Sequence, residues 1–226
     1  MPDGSTHVID IVQSVRRTGG LSVLCLGAHS DDIEIGCGGT ILRLLKAYSN
    51  CTITWVVFCA DAARRREALS SAKRFLRGAK ASTIITKAFK GSFFPYRGEE
   101  IKTFFEQLKT RVEPDLIFSH YREDLHQDHR LISEFTWNTF RSHLILEYEI
   151  PKYDGDLGQP NVYVPLSREV CDAKIQYLME EFSTQRSRQW FTEDTFYSLL
   201  RLRGIEAPGA TRYAEAFYGR KIVVPW

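Results

Sequence analysis

Short apolar runs alternate along the chain with longer stretches whose apolar residues recur at helical spacing. "LSVLCLGA" (21–28) and "TITWVVFCA" (52–60) are apolar at consecutive positions, as strands buried on both faces are. Between them, "GGTILRLLKAYSN" sets Ile41, Leu42, Leu44 and Leu45 at helical spacing behind a glycine-rich start that suits a tight strand-to-helix turn. "REALSSAKRFLRGA" predicts a second helix ending at Gly78, and "STIIT" (82–86) a short strand. "GEEIKTFFEQLKTRV" predicts a third helix, followed by Pro114 and by a strand over "DLIFSH" (115–120). That βαβαβαβ order predicts an α/β fold, a Rossmann-like and mostly parallel β-sheet flanked by helices on both faces. The second half is less regular. "LILEYEI" (144–150) and "NVYVPL" (161–166) are strand candidates around a turn-rich "PKYDGDLGQP", a helix follows from Ser167 to Phe182, and "AEAFYGRKIVV" closes the chain. No repeat, low-complexity stretch or linker divides the sequence, so one domain over residues 1–226 is expected.

Open parallel sheets bind ligands beyond the carboxyl ends of their strands. The first strand runs directly into His29, Asp31 and Asp32, and the 115–120 strand ends at His120 and leads into "YREDLHQDHR". Two polar clusters, H-x-D-D at 29–32 and H-x-D-H at 126–129, are therefore expected on the same edge of the sheet.

Composition narrows the classes of function. With 226 residues, 43% hydrophobic and 26% charged, the chain is an ordinary globular protein with ample core. A formal net charge of +2 does not point to nucleic acid. Five cysteines, with Cys25 and Cys59 inside apolar runs and no CxxC pair, read as free thiols in a reducing compartment. The start "MPDGSTHVID" lacks the pattern of a secretory signal, and the longest apolar run falls far short of a membrane span. A cytoplasmic protein without membrane partners is the expectation, and a homo-oligomer is compatible with it.

The clusters hold a recognisable set of chemical groups. Open zinc sites prefer three N/O ligands, typically histidine with one carboxylate. His29 and Asp32, three residues apart, can meet on a tight turn, and one histidine of the second cluster would complete a His–Asp–His set. A spare carboxylate, Asp31, would then serve as general base, and the spare histidine would stabilise an oxyanion or protonate a leaving group. Each cluster alone has an ordinary explanation: paired aspartates often serve a helix N-terminus, and an HxDH loop is usually solvated. Their conjunction beyond two strand ends points to metal-assisted hydrolysis.

"AHSDDIEIGCGG" together with "HQDH" resembles the PIG-L/LmbE-like deacetylases, whose first motif is written AHPDDE. Ser30 replaces the proline and Ile33 the glutamate, with Glu34 as a substitute acid one residue along. The resemblance spans most of the chain and implies a zinc site (Fe²⁺ or Co²⁺ being alternatives) formed by His29, Asp32 and His129. It further implies Asp31 as base, His126 as the acid or electrophilic histidine, and Asp128 orienting His126. A tyrosine that assists the oxyanion in relatives is replaced by Asp124, with Tyr121 as a weak substitute. Arg64 and Glu67 match an R-x-x-E pattern at the head of the second helix, with Arg64 facing the substrate and Arg65 and Arg66 solvated. The implied reaction is removal of the acetyl group from a small N-acetylated amino sugar or sugar conjugate.

Two other functions compete: a metal-dependent hydratase of an unsaturated carboxylic acid on the same fold, and a Rossmann-type nucleotide-sugar-binding protein suggested by "GCGGT". That segment has neither GxGxxG nor a Walker lysine, so a turn folding the metal loop back is the better expectation. Cys37 is expected to pack within it. His120 is an equally good structural or supporting residue, and His7 and His143 have no context. The 152–163 segment is either a wall over the substrate or a connecting loop, and Glu215 is a further candidate to reach the site.

Overall fold

The computed structural model describes residues 20–207 and 211–222. His7, the N-terminal stretch and the last residues of the closing segment lie outside them. The elements are β1 (Leu21–Gly27), α1 (Asp32–Ala47), β2 (Cys51–Val57), α2 (Ala62–Phe75), β3 (Ala81–Thr86), α3 (Gly98–Lys109) and β4 (Leu116–His120). They continue with α4 (Gln127–Thr139), β5 (Leu144–Tyr148), β6 (Val162–Leu166), α5 (Arg168–Glu181), α6 (Glu193–Glu206) and β7 (Tyr213–Gly219).

One seven-stranded sheet has the order β3-β2-β1-β4-β5-β7-β6. The first five strands are parallel, and β7 pairs antiparallel with both β5 and β6. This is the α/β fold expected, with a mixed edge. The consecutive apolar residues of β1 divide by strand alternation. Val23 and Cys25 enter the core under α1, α2, α5 and α6, whereas Leu24 and Leu26 enter the core under α3 and α4. In α3, Ile101, Phe104, Phe105 and Leu108 form the buried stripe, each contributing roughly 1.5–3 kcal/mol by leaving water.

Two expectations are corrected. "GCGG" is the interior of α1, not a turn: glycine is needed there because neighbours press on the helix. A Cβ on Gly36 would stand 2.2 Å from the Tyr148 ring, and one on Gly38 would stand 2.7 Å from Phe75. HxDH is likewise no polar loop, since His126 is the N-cap of α4 and Asp128 and His129 occupy its first turn, both buried. Sequence periodicity hid α4 because its first turn is polar, and α6 because its apolar positions follow no clear stripe.

Chain order reverses between β1 and β4, with β2 and β3 on one side and β5 on the other. Such a switch point opens a crevice at the carboxyl ends of the strands. β1 delivers His29 there and β4 delivers His120.

Candidate metal centre

Four of the six histidines meet at this crevice. The His29 ring lies 4.9 Å from that of His126 and 5.1 Å from that of His129, while His129 stacks on His120 at 4.0 Å. Asp32, the first residue of α1, accepts the His29 backbone N–H at 2.6 Å and has the same Oδ2 near all three imidazoles of His29, His120 and His129.

The tautomers follow from the outer partners. Asp128 accepts backbone N–H groups from Ser92 at 2.6 Å and Phe94 at 3.1 Å. Burial opposes its ionisation, but the hydrogen bonds from His29 and these amides hold its pKa below the usual carboxylate value. Its 3.2 Å contact with His29 Nε2 therefore places the proton on that nitrogen and leaves Nδ1 as a lone pair. Asp124 does the same for His129, accepting from Nδ1 at 2.9 Å and leaving Nε2 as a lone pair. Despite burial, His129, His120 and Lys152 hold Asp124 well below the ordinary value.

Three acceptors consequently face one another. His29 Nδ1 and His129 Nε2 are 3.1 Å apart, and Asp32 Oδ2 lies 3.4 and 3.5 Å from them. A tetrahedral zinc ion with bonds of about 2.0–2.1 Å spaces its ligands about 3.3 Å apart, so the triangle fits one face of its coordination shell. Without a metal, only a proton relieves the repulsion. Burial works against it, yet Asp32, Asp128 and Asp31 push His29 up to about 10, while burial and His120 hold His129 down at about 3. A grouping of Asp32, His120 and His129 is also compact. Its His120 Nε2 already accepts the Ala28 N–H at 2.9 Å, so it offers one free nitrogen fewer.

The remaining groups stand around this triangle. Asp31 occupies the N-cap position of α1, but its carboxylate makes no capping bond. It lies 3.4 Å from the Arg64 guanidinium, and burial followed by the Asp32 charge raises it to about 6 despite Arg64 and His29. Arg64 itself is fixed in the first turn of α2, where Asp61 accepts from the Ala63 and Arg64 N–H groups. His126 accepts the Asp128 backbone N–H on Nδ1 at 3.1 Å, which in the neutral ring leaves Nε2–H as a donor. Burial and His29 lower its pKa and keep it neutral. Asp128 thus meets His126 through its backbone amide, whereas its carboxylate serves His29.

Other candidates fall away from the triangle. Tyr121 stacks on Tyr218 at 3.7 Å and donates to Glu123 at 3.2 Å. Glu215 accepts the amides of Gly39 and Thr40, in the middle of α1. Glu34 is fully buried without a hydrogen-bond partner among the described residues, and burial raises its pKa well above the usual range. Ile33 packs where a Cβ on Gly27 would stand at 2.9 Å, so an apolar side chain there locks α1 onto β1. Ser30 is buried and its hydroxyl has no partner among the described residues. Burial raises the Cys37 thiol well above its normal value, which removes it as a nucleophile. Glu67 holds the turn after α5 through Ser183 and Thr184, Arg65 donates to Thr86, and His143 sits edge-on to Phe140. The sequence reading passed over Lys152, which pairs with Asp124 at 3.1 Å and with Asp156, binding the 152–163 segment to the histidine site. An isolated lysine in a turn-rich segment gave no signal of that.

Residues 24–140 match the PIG-L family, described as GlcNAc-PI de-N-acetylase, and they include both polar clusters. The chain belongs to the PIG-L family. Its fold is shared with N,N'-diacetylchitobiose deacetylase from Pyrococcus horikoshii (20% identity over 88% of this chain and 83% of that one, TM-score 0.63). The hydratase GalB from Pseudomonas putida KT2440, which acts on 4-carboxy-2-hydroxymuconate, is similar over 91% and 98% of the two chains, with 17% identity and a TM-score of 0.73. A zinc-inhibited form of the teicoplanin deacetylase Orf2 aligns over 87% and 97%, with 13% identity and a TM-score of 0.65. No helix among the described residues is long and apolar enough to cross a membrane.

Proposed function

We propose that this PIG-L family protein is a zinc-dependent hydrolase that removes the acetyl group from an N-acetylated amino sugar or sugar conjugate. Family membership and the deacetylase neighbours support an N-deacetylase of sugar-type substrates. The observation that carries the metal reading is the triangle of His29 Nδ1, His129 Nε2 and Asp32 Oδ2, three acceptors with no donor among them. When bound there, the ion supplies Lewis-acid activation of water and of the amide carbonyl. Asp31, close to the triangle and not tied to the helix end, takes the proton from the attacking water. His126 Nε2–H donates a hydrogen bond to the oxyanion, and the proton taken up by Asp31 passes to the departing amine, yielding acetate and a free amino sugar. Arg64 holds Asp31 and stands at the substrate's edge of the site.

The test joins metal analysis of the purified protein to an acetate-release screen over N-acetylated sugars and their conjugates. Stoichiometric zinc, with acetate release that a chelator abolishes, is the expected result. A metal-free protein that still released acetate would overturn it. Turnover of an unsaturated carboxylic acid without acetate would favour hydration, the activity named for GalB.

A further inference from the structure

Lys174 and Glu215 play no part in the chemistry above, yet both are almost fully buried, each side chain being 3% exposed. They form an ion pair at 2.6 Å between α5 and β7. The pair is directed at the backbone of α1. Lys174 Nζ donates to the Ile35 carbonyl at 2.6 Å, while Glu215 accepts the Gly39 N–H at 2.8 Å and the Thr40 N–H at 2.6 Å. In a regular helix the Ile35 carbonyl and Gly39 N–H are partners of each other. Here each also meets a full charge of the appropriate sign, a cation at the carbonyl and a carboxylate at the amides, as if the pair capped two helical segments in mid-helix.

The segment on the Lys174 side is the one that matters for the site. Ile35 N–H closes the first turn on the Asp31 carbonyl at 3.0 Å, and that turn carries Asp31 and Asp32. Gly39 makes the approach feasible, because a Cβ there would stand 3.0 Å from Glu215 Oε1 and 2.5 Å from Leu166 Cδ1. A pair needed only to join α5 to β7 has no reason to aim three hydrogen bonds at the backbone of a third element.

We propose that Lys174 and Glu215 are positioning residues for the metal centre, fixing from behind the turn of α1 that presents Asp31 and Asp32. This rests on the metal reading above. If wild-type protein binds no zinc, that reading fails. If wild type binds zinc and the variants bind it equally well, only the present inference fails.

The decisive variant is Lys174→Met combined with Glu215→Gln, which removes both charges and so leaves no unpaired ion in the core. Zinc affinity is read by competition with a chromophoric chelator on folded, metal-free protein. Weakening of about tenfold is expected, on the scale of lost outer partners of a metal site. Gly39→Ala gives a second route, displacing the Glu215 carboxylate without altering charge, and should weaken zinc in the same direction. Affinity equal to wild type in either folded variant would overturn the proposal. The wild type provides a reading that does not depend on the variants folding. The Lys174 ammonium should give a slowly exchanging NMR signal with contacts to α1, and rapid exchange with solvent would equally overturn it.

Discussion

Two clusters of buried charge in this molecule are built on opposite principles. Around Arg203, every donor meets an acceptor. Its guanidinium holds Glu149 through two bonds of 2.7 Å, reaches Glu206 at 2.9 and 3.0 Å, and donates to the Gly158 carbonyl at 3.2 Å. Around His29, the outer carboxylates Asp128 and Asp124 are satisfied, but satisfying them turns two imidazole lone pairs toward one point, which the Asp32 carboxylate oxygen also faces. The first cluster is electrostatically complete and has nothing left to offer a ligand. The second is complete only with a cation. Density of buried charge therefore does not mark the functional site; unreconciled acceptors do.

The comparison breaks most visibly at the triangle. Asp32→Ala or His129→Ala should abolish stoichiometric zinc binding, measured by metal analysis after dialysis, and acetate release should go with it. Retention of one zinc per chain in Asp32→Ala would move the site to the grouping of His29, His126 and His129, and retention in His129→Ala would place the metal away from this crevice altogether.

Asp31→Asn is the next largest effect. It removes the proposed base but none of the three facing acceptors, so zinc content should be unchanged. Turnover should fall by about 10²–10⁴, the range for loss of a positioned base. Full activity in Asp31→Asn would refute the assignment of the base.

The closed cluster predicts the converse pattern. Arg203→Met strands the Glu149 carboxylate in the core and should cost about 3–5 kcal/mol of stability by denaturant unfolding. Combining it with Glu149→Leu should recover most of that loss, because the unpaired charge goes too. Zinc affinity of the folded protein should stay at the wild-type level in both. A change in zinc binding with no change in stability would erase the distinction between the two clusters.

The sequence made one half of this contrast legible and hid the other. Apolar runs such as "LSVLCLGA" reveal the parallel strands, and strand ends place His29 and His120 at one crevice because that edge is a property of topology. The residues of the triangle stand out because carboxylates and histidines recur at short spacing. Lys174, Glu215, Glu149 and Arg203 come from separate elements of the irregular second half, and nothing local in the sequence pairs them. The glycines of "GCGG" misled for a related reason: glycine permits a turn, but it equally permits a helix to be pressed by Tyr148, Phe75 and Leu166. Only the tertiary neighbours decide between those uses.

Arg64 supplies the finest test, because two roles predict different measurements. Its guanidinium lies 3.4 Å from Asp31 and pulls the carboxyl pKa down, against burial and Asp32, which push it up to about 6. A base works when ionised, so kcat/KM should rise with pH through that pKa. The positive charge of a bound ion adds to the pull of Arg64 and sets the acid limb of the loaded enzyme at or below about 6. Arg64→Met removes one cation beside the base and should move the limb to higher pH, on the order of one pH unit at this separation and partial exposure. Arg64→Lys keeps a charge nearby and should move it less. If Arg64 acts on the substrate alone, the Met variant raises KM while the limb stays where it was, and the tuning role is refuted. A shifted limb with unchanged KM would assign Arg64 wholly to the base.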